Sequence, residues 1–353
     1  MSAGRTARVL HVMQNSVVDP GQRYLGSTKN VRCRTEYFQD RGIPYEELVT
    51  EPSPSRVFDA VRRTPFRDFS AVVFEHAHSP SALRWVRRVA PSATIVLSTN
   101  NAEFFHRVDI LRAEGLSRKT PEYLSQLAKK SVRDVRCGRV ADFILTLSEW
   151  EVANYWARLA PRARVRYTPW YLPSIYEQEL PPPLAKRNQC VCLLSSIPNV
   201  LLVDAARNFG RAVEALGESH AEWHFLMTGE RAQYDVATPE RVQWTGFLDS
   251  PYGVLAESRA MALLSDFGYG FKTKILEAIL TQTRVLLTDS QYHRLPDAIR
   301  FGCVPVSHER PRSFAEALDK SLEPLQVVGL NASLRARTFA VLDEVFRVAT
   351  PTP

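Results

Sequence analysis

The sequence predicts an α/β protein built from two Rossmann-like domains, each a parallel sheet covered by helices, that face each other across a cleft. Short apolar runs of strand length alternate with helical stretches along the chain, and a proline-rich stretch interrupts this alternation once. A chain of 353 residues with 45% apolar and 24% charged residues has the length and composition of two globular domains.

The first half begins with a strand at residues 8–13, a polar loop that ends at Gly26, and an amphipathic helix that stops near Gly42. Further apolar runs are too short for helices and are predicted as strands. They lie at residues 70–75, 94–98, 142–147 and 164–168.

The domain boundary is predicted at residues 172/173. Prolines occupy positions 181–183 between charged residues, a pattern typical of an extended linker. The alternation restarts near Cys190 and ends in an apolar-periodic helix from about residue 332. We therefore divide the chain into residues 1–172, residues 173–330 and a terminal helix, residues 331–353.

The net charge of +7 is divided unevenly between the two halves. Residues 1–170 contain 27 Lys and Arg against 17 Asp and Glu, whereas residues 171–353 contain 18 against 21. Lys129, Arg133 and Arg136 fall on one face at helical spacing. Such a face is either simply solvated or attracts anionic lipid or phosphorylated acceptors. Nucleic acid is not expected, because no basic stripe is interleaved with aromatic residues.

The cysteine content and the lengths of the apolar runs exclude several classes of protein. Five cysteines without a Cys-x-x-Cys spacing argue against a disulfide framework and a structural zinc site. The apolar run near the start of the sequence is too short for a secretory signal, and no run approaches the roughly 20 apolar residues that span a bilayer. We expect a cytoplasmic protein, with peripheral contact at the inner face of the membrane as an option.

Residues 260–290 give the most informative pattern, a strand, a glycine-containing loop, a helix and a second strand. The loop residues 268–270 precede a helix that starts near Thr273, where backbone amides and the helix dipole favour an anion. Lys272 and Lys274 add cations, and Glu277 is suited to two ribose hydroxyls. The pattern therefore predicts a nucleotide diphosphate site, although an amphipathic helix with its charges in water would look similar.

The run GYGFKTKILEAILTQTRVLLTD, residues 268–289, resembles the nucleotide-sugar motif of glycosyltransferase family 4. Weaker matches to this family follow in the right order along nearly the whole chain. They are Gly26-Ser27, Asn101-Ala102-Glu103, Leu147-Ser148-Glu149, Pro169, Thr228-Gly229-Glu230 and the turn at residues 245–249.

The resemblance implies the GT-B fold, with an acceptor-binding first domain, a donor-binding second domain and a terminal helix that packs back on the first. It also implies transfer of a hexosyl group from a nucleotide diphosphate sugar with retention of configuration, no metal, and no cofactor besides that co-substrate. The implied catalytic residues are His76, His78, Asn101 and Glu103. The implied nucleotide-binding residues are Gly26, Ser27, Gly229, Glu230, Arg231, Phe247, Tyr269, Gly270, Phe271, Lys272, Thr273, Lys274 and Glu277.

Three positions depart from the family pattern. Tyr269 stands where many members have a glutamate that touches the donor sugar, and residues 195–199 lack the Arg and Lys that usually hold the diphosphate. Asn100 replaces a usual histidine. Arg231, Lys272 or Lys274 would therefore have to neutralise the phosphates.

Other chemistries find less support in the sequence. A two-histidine metal site at His76 and His78 lacks further ligands, and no Asp-x-Asp clamp, Gly-x-Ser-x-Gly elbow or phosphate loop of the Walker type occurs. A nucleotide-sugar epimerase and a noncatalytic scaffold of the same fold remain as alternatives. The sequence does not predict the sugar, the base, or whether the acceptor is a glycan, a lipid-linked molecule or a small natural product.

Overall fold

The computed structural model describes residues 8–15, 19–75, 79–116, 120–194, 200–307, 310 and 312–346. These residues form two six-stranded sheets in which every strand pair is parallel, in the orders β2-β1-β3-β4-β5-β6 and β12-β11-β10-β7-β8-β9. The strands of the first sheet are β1 (Val9–Gln14), β2 (Tyr45–Thr50), β3 (Ala71–Glu75), β4 (Thr94–Thr99), β5 (Phe143–Thr146) and β6 (Arg164–Tyr167). Those of the second are β7 (Arg187–Cys192), β8 (His224–Met227), β9 (Val242–Trp244), β10 (Ser258–Leu263), β11 (Arg284–Thr288) and β12 (Cys303–Val306).

Helices connect the strands of both sheets, as parallel pairing requires. In the first half they are α1 (Gly26–Asp40), α2 (Pro54–Arg63), α3 (Pro80–Val89), α4 (Glu103–Ala113), α5 (Pro121–Gly138), α6 (Glu149–Glu151) and α7 (Ala157–Leu159), with a 3₁₀ turn at Pro20–Gln22 and a π turn at Val152–Trp156. In the second half they are α8 (Ser174–Glu177), α9 (Val200–Ala215), α10 (Arg231–Tyr234), α11 (Tyr252–Glu257), α12 (Thr273–Leu280), α13 (Asp289–Tyr292), α14 (Asp297–Arg300), α15 (Ser313–Lys320) and α16 (Leu330–Phe346).

The predicted α/β class with two Rossmann-like sheets is confirmed. In each sheet the first strand of the unit lies inside the sheet, with β1 between β2 and β3, and β7 between β10 and β8. The chain therefore reverses its direction of travel across the sheet beside β1 and beside β7. Ligands of open parallel sheets bind at such switch points, outside the carboxyl ends of the strands.

One apolar cluster runs through both halves of the molecule. It joins core residues of the first sheet to those of the second through the buried residues Trp170, Tyr171 and Leu172. The first sheet ends at Tyr167 and the second begins at Arg187, so the predicted boundary at 172/173 lies in the connection between them. The two halves therefore share a continuous core at their junction.

The terminal helix α16 packs back on the first half, as expected. The Tyr37 hydroxyl donates to Asp343 at 3.0 Å, and Arg41 Nε donates to the same carboxylate at 2.9 Å. The rings of Tyr37 and Phe339 meet edge to face with centroids 5.2 Å apart. Within the described residues, no helix has the length and apolar character needed to cross a membrane.

Candidate functional site

A cavity of about 560 Å³ lies between the two halves, at the carboxyl ends of β1, β7 and β8. Its volume falls in the range of small-molecule sites. The first half contributes residues 21–26, and the second half contributes residues 193–194, 228–229, 247–251, 273–274 and Glu277.

Two helix N-termini meet at this cavity. Helix α1 begins at Gly26 and α12 begins at Thr273, and a Cβ on Gly26 would lie only 2.9 Å from Thr273 Oγ1. A side chain at position 26 would push the two helix starts apart. Neither residue before the helices, Leu25 or Lys272, caps its helix with a side-chain hydrogen bond. Gly26, Thr273 and Lys274, from the first turns of these helices, line the cavity, and helix N-termini favour an anion.

Lys274 lies on the wall of this cavity. Its Nζ donates to the Leu193 carbonyl at 2.7 Å, and burial lowers the pKa of its ammonium group. Glu277, one turn further along α12, also lines the cavity and is only 2% exposed. A cation and a carboxylate thus stand beside the two helix N-termini.

Glu277 is held by a residue of the other half that the sequence analysis missed. Lys29 Nζ donates to Glu277 Oε2 at 2.6 Å, and the Lys29 side chain is fully buried. The rings of Tyr24, Tyr176 and Tyr252 surround the ammonium group with centroids 5.2–5.3 Å away. Burial lowers the pKa of Lys29, and the Glu277 carboxylate opposes this shift.

An aromatic side chain also lines the cavity. Phe247 is 57% exposed, and its backbone N–H donates to Glu230 Oε1 at 3.2 Å. Gly229, in the left-handed region at φ +90°, donates its N–H to the Gly246 carbonyl at 2.9 Å. Of the residues predicted to face the base, Gly229 and Phe247 line the cavity, whereas Glu230 fixes the turn behind them and Arg231 begins α10.

The turn at residues 268–270 does not line this cavity among the described residues but packs against the first half. The Gly268 N–H donates to Asp109 Oδ2 at 2.8 Å. In the amide orientation that satisfies its neighbours, Asn101 donates to the Tyr269 carbonyl at 2.8 Å. A Cβ on Gly270 would lie 2.5 Å from the Asn100 carbonyl. We call these contacts the turn contact.

The Tyr269 ring completes the turn contact. It stacks on Phe105 at 4.9 Å and approaches Trp150 at 5.1 Å, while the Arg294 guanidinium lies 4.4 Å from its centroid. Its ring is thus packed against the first half.

Lys272 lies on the same side. It borders a separate cavity of about 30 Å³, and burial together with the nearby Arg294 lowers its pKa to about 8. Phe271 lines the same small cavity and packs near Trp170. Tyr269, Gly270, Phe271 and Lys272 were predicted to bind the nucleotide. The structure places the first two at the turn contact and the last two beside the small cavity, and none of them is in the described lining of the large cavity.

Of the four predicted catalytic residues, only Asn101 and Glu103 are among the described residues. His76 and His78 lie outside the described residues, as does the loop at 195–199. Asn101 belongs to the turn contact, and the Glu103 carboxylate accepts from Lys130 at 3.0 Å. Ser27 lies in the first turn of α1. Within the described ranges, no group of three or more His, Cys, Asp or Glu side chains could hold a metal ion.

Buried polar side chains lie beneath the cleft at the carboxyl edge of the first sheet. His11 Nε2 and Glu75 Oε1 are 3.2 Å apart, and Arg34 donates to Ser98 Oγ at 2.9 Å while its Nε lies 3.4 Å from Glu75. The only sequence signal for this group was the polarity of residues in otherwise apolar stretches.

Comparison with known families finds a match in the second half of the chain. The model of the family described as "Glycosyl transferases group 1" matches residues 189–323, which include α12 and most of the cavity wall contributed by the second half. The second domain is thus a glycosyltransferase domain by its sequence. No curated protein sequence matches the chain.

Solved structures share the fold over nearly the whole chain. Anabaena HepE, solved with UDP, is 14% identical with a TM-score of 0.55, over 96% of this chain and 95% of its own. Sucrose-phosphate synthase from Thermosynechococcus elongatus is 11% identical with a TM-score of 0.58, over 96% of each chain. The glycotransferase of kitacinnamycin is 12% identical with a TM-score of 0.53, over 97% and 99%. The chain therefore shares the fold of these structures.

Proposed function

We propose that the chain is a glycosyltransferase that transfers a hexosyl group from a nucleoside diphosphate sugar to an acceptor. The observation that carries this proposal is the meeting of two helix N-termini beside Glu277, at a cavity whose second-half wall belongs to the matched glycosyltransferase region. Because HepE was solved with UDP and with UDP-glucose, we propose a uridine nucleotide as the first donor to test.

The cavity suggests an orientation for the nucleotide. The diphosphate lies between the helix starts at Gly26 and Thr273, where N–H groups and both helix dipoles offset its charge. The ribose lies at Glu277, because a carboxylate accepts hydroxyl hydrogen bonds. The base lies toward Phe247, whose exposed ring offers a stacking surface.

In the proposed reaction the bond from the anomeric carbon to the β-phosphate oxygen breaks, and its electron pair stays on the departing diphosphate. The acceptor oxygen forms the new glycosidic bond, and its proton passes to the diphosphate. Helix starts fixed in advance at the leaving group stabilise this developing charge. Retention of configuration and independence of a metal are part of the proposal and rest on the family resemblance.

Sugar and acceptor contacts are proposed from the resemblance alone. His76 or His78 contacts the transferred sugar, and Asn101 and Glu103 lie toward the acceptor. Lys274 is the cation that we propose for the diphosphate, since it lines the cavity in the first turn of α12. We place the enzyme in the cytoplasm.

A surface of α5 supports a second partner, an anionic membrane. Leu124 is 56% and Val132 is 46% exposed, two turns apart on one helix with Lys129 and Arg136. Exposed apolar side chains beside cations are typical of helices that lie on anionic lipid. Sedimentation with phosphatidylglycerol vesicles tests this contact. We expect binding that Leu124→Asp removes and Leu322→Asp in the second domain does not, and equal binding of both variants refutes it.

The enzyme proposal is tested by ligand-induced thermal shift with UDP, GDP, ADP and TDP, followed by product analysis. We expect one nucleotide to raise the melting temperature. Its sugar derivative should then react only when acceptors are supplied. Conversion of the donor to an epimer without an acceptor would favour the epimerase. If no nucleotide binds, the noncatalytic scaffold is the function that remains.

A further inference from the structure

The pair Lys29–Glu277 joins the two halves at the proposed donor site. Lys29 lies in the second turn of α1, and Glu277 lies in the second turn of α12. Burying an ammonium ion costs several kcal/mol unless it has a close partner. The 2.6 Å contact to Glu277 and the three tyrosine rings compensate Lys29 in this position. The contact exists only while α1 and α12 are together.

Two of the three tyrosines that surround Lys29 are themselves held by hydrogen bonds. The Tyr24 hydroxyl donates to Glu179 at 2.7 Å, and the Tyr176 hydroxyl donates to the Arg23 carbonyl at 2.9 Å. Arg23 and Tyr24 also line the large cavity. The ammonium group is therefore immobilised by the same loop that forms the first-half wall of the site.

Lys29 occupies only one oxygen of the Glu277 carboxylate. Among the described residues its bond is to Oε2 alone, and Glu277 lines the cavity, so that Oε1 is available to a ligand. A carboxylate fixed at one oxygen presents the other in a single orientation. Because the carboxylate is already ordered, less entropy is lost when a ribose hydroxyl binds to it.

We propose that Lys29 is a positioning residue of the donor site, which orients Glu277 toward the ribose diol and makes that contact depend on the two halves being together. This inference rests on the proposed function. Lys29 does not touch the nucleotide itself, so its effect must pass through Glu277 and must concern the ribose hydroxyls.

The test compares UDP with 2′,3′-dideoxy-UDP in calorimetry, using the full chain and its variants. The wild type should bind UDP about 10- to 100-fold more tightly than the dideoxy ligand, the range of a hydrogen bond to a charged group. Lys29→Met and Glu277→Gln should each lose most of this preference by weakening UDP alone. A purely structural defect would weaken both ligands equally.

Lys186→Met is the matched control. Lys186 is a half-buried lysine, and its Nζ donates to the Leu255 and Thr281 carbonyls within the second half. We expect this variant to lose stability and to keep the full preference for UDP.

The outcomes separate this inference from the proposed function. If Glu277→Gln loses the preference and Lys29→Met keeps it, Lys29 has no positioning role while the donor site stands. If the wild type binds neither ligand, both fail. Should Lys29→Met not fold, the double variant Lys29→Met/Glu277→Gln must bind UDP as Glu277→Gln does, and further loss overturns the inference.

Discussion

The segment from Gly268 to Leu280 has two ends that meet the first half in opposite ways. At its turn, the backbone and the Tyr269 ring are packed against Asp109, Asn101 and Phe105. At its helix, the first-turn residues Thr273 and Lys274 line an open cavity of about 560 Å³. One motif thus provides a closed contact at one end and a ligand site at the other.

Glycine serves both ends for the same reason, the close approach of the two halves. Gly270 has φ +92° and leaves no room for a Cβ beside Asn100, and Gly26 leaves little room beside Thr273. The two ends differ in the partners of their backbone polar groups. At the turn these partners are protein groups, whereas at the helix starts the N–H groups are available to a ligand.

The largest expected effect comes from Gly270→Ala. A Cβ would meet the Asn100 carbonyl at 2.5 Å with an unfavourable positive φ, so we expect the free energy of unfolding to fall by about 2–4 kcal/mol. Chemical denaturation measures this. Gly253→Ala, where nothing lies within 4 Å of the added carbon, should change stability little. Equal stability of the two variants would mean that the turn contact does not form.

Glu277→Ala should act on the ligand side. We expect UDP binding to weaken by about 1.5–3 kcal/mol, since a hydrogen bond to a charged group is lost. Calorimetry at fixed pH measures the change. Glu214→Ala, an exposed glutamate of α9, should bind as the wild type does. Unchanged affinity of Glu277→Ala would remove the ribose assignment.

Asp134→Asn should change how the stability of the protein depends on pH. Asp134 lies in the first half, on the side of the turn contact. Asp134 accepts from the Tyr155 hydroxyl at 2.5 Å, and burial raises the pKa of its carboxyl group to about 7. The folded chain therefore keeps a proton that the unfolded chain loses above about pH 4. Stability should fall as pH rises from 4 to 7, by up to about 1.4 kcal/mol per pH unit for this group.

Denaturation curves across that pH window check this prediction. Asp134→Asn should flatten the decline, because its amide does not titrate, and Asp59→Asn on the exposed face of α2 should leave it unchanged. If stability declines equally steeply in Asp134→Asn, the Asp134 carboxyl group of the wild type is ionised in the folded protein.

Gly26→Ala should have the smallest effect. The added methyl group meets the flexible Thr273 side chain at 2.9 Å, so the helix starts must shift slightly apart. We expect UDP binding to weaken by about 1 kcal/mol, the worth of one hydrogen bond, with little loss of stability. Unchanged binding, measured beside Gly253→Ala, would place the diphosphate away from this contact.

The sequence predicted the fold better than the site because periodicity is a local property. Helix α12 begins and ends where the apolar pattern and the loop glycines placed it, from Thr273 to Leu280. Lys29 was not found, because a lysine three residues into an amphipathic helix gives no sign that it is buried. The partners of Tyr269 and Gly268 come from residues about 160 positions earlier, and such pairings depend on how the two halves meet.

A crystal structure with UDP tests the central claim most directly. The account predicts the diphosphate between the starts of α1 and α12, with a ribose hydroxyl on Glu277 Oε1 and the turn contact intact. Phosphates bound at residues 268–270, with Asp109 displaced from Gly268, would contradict it.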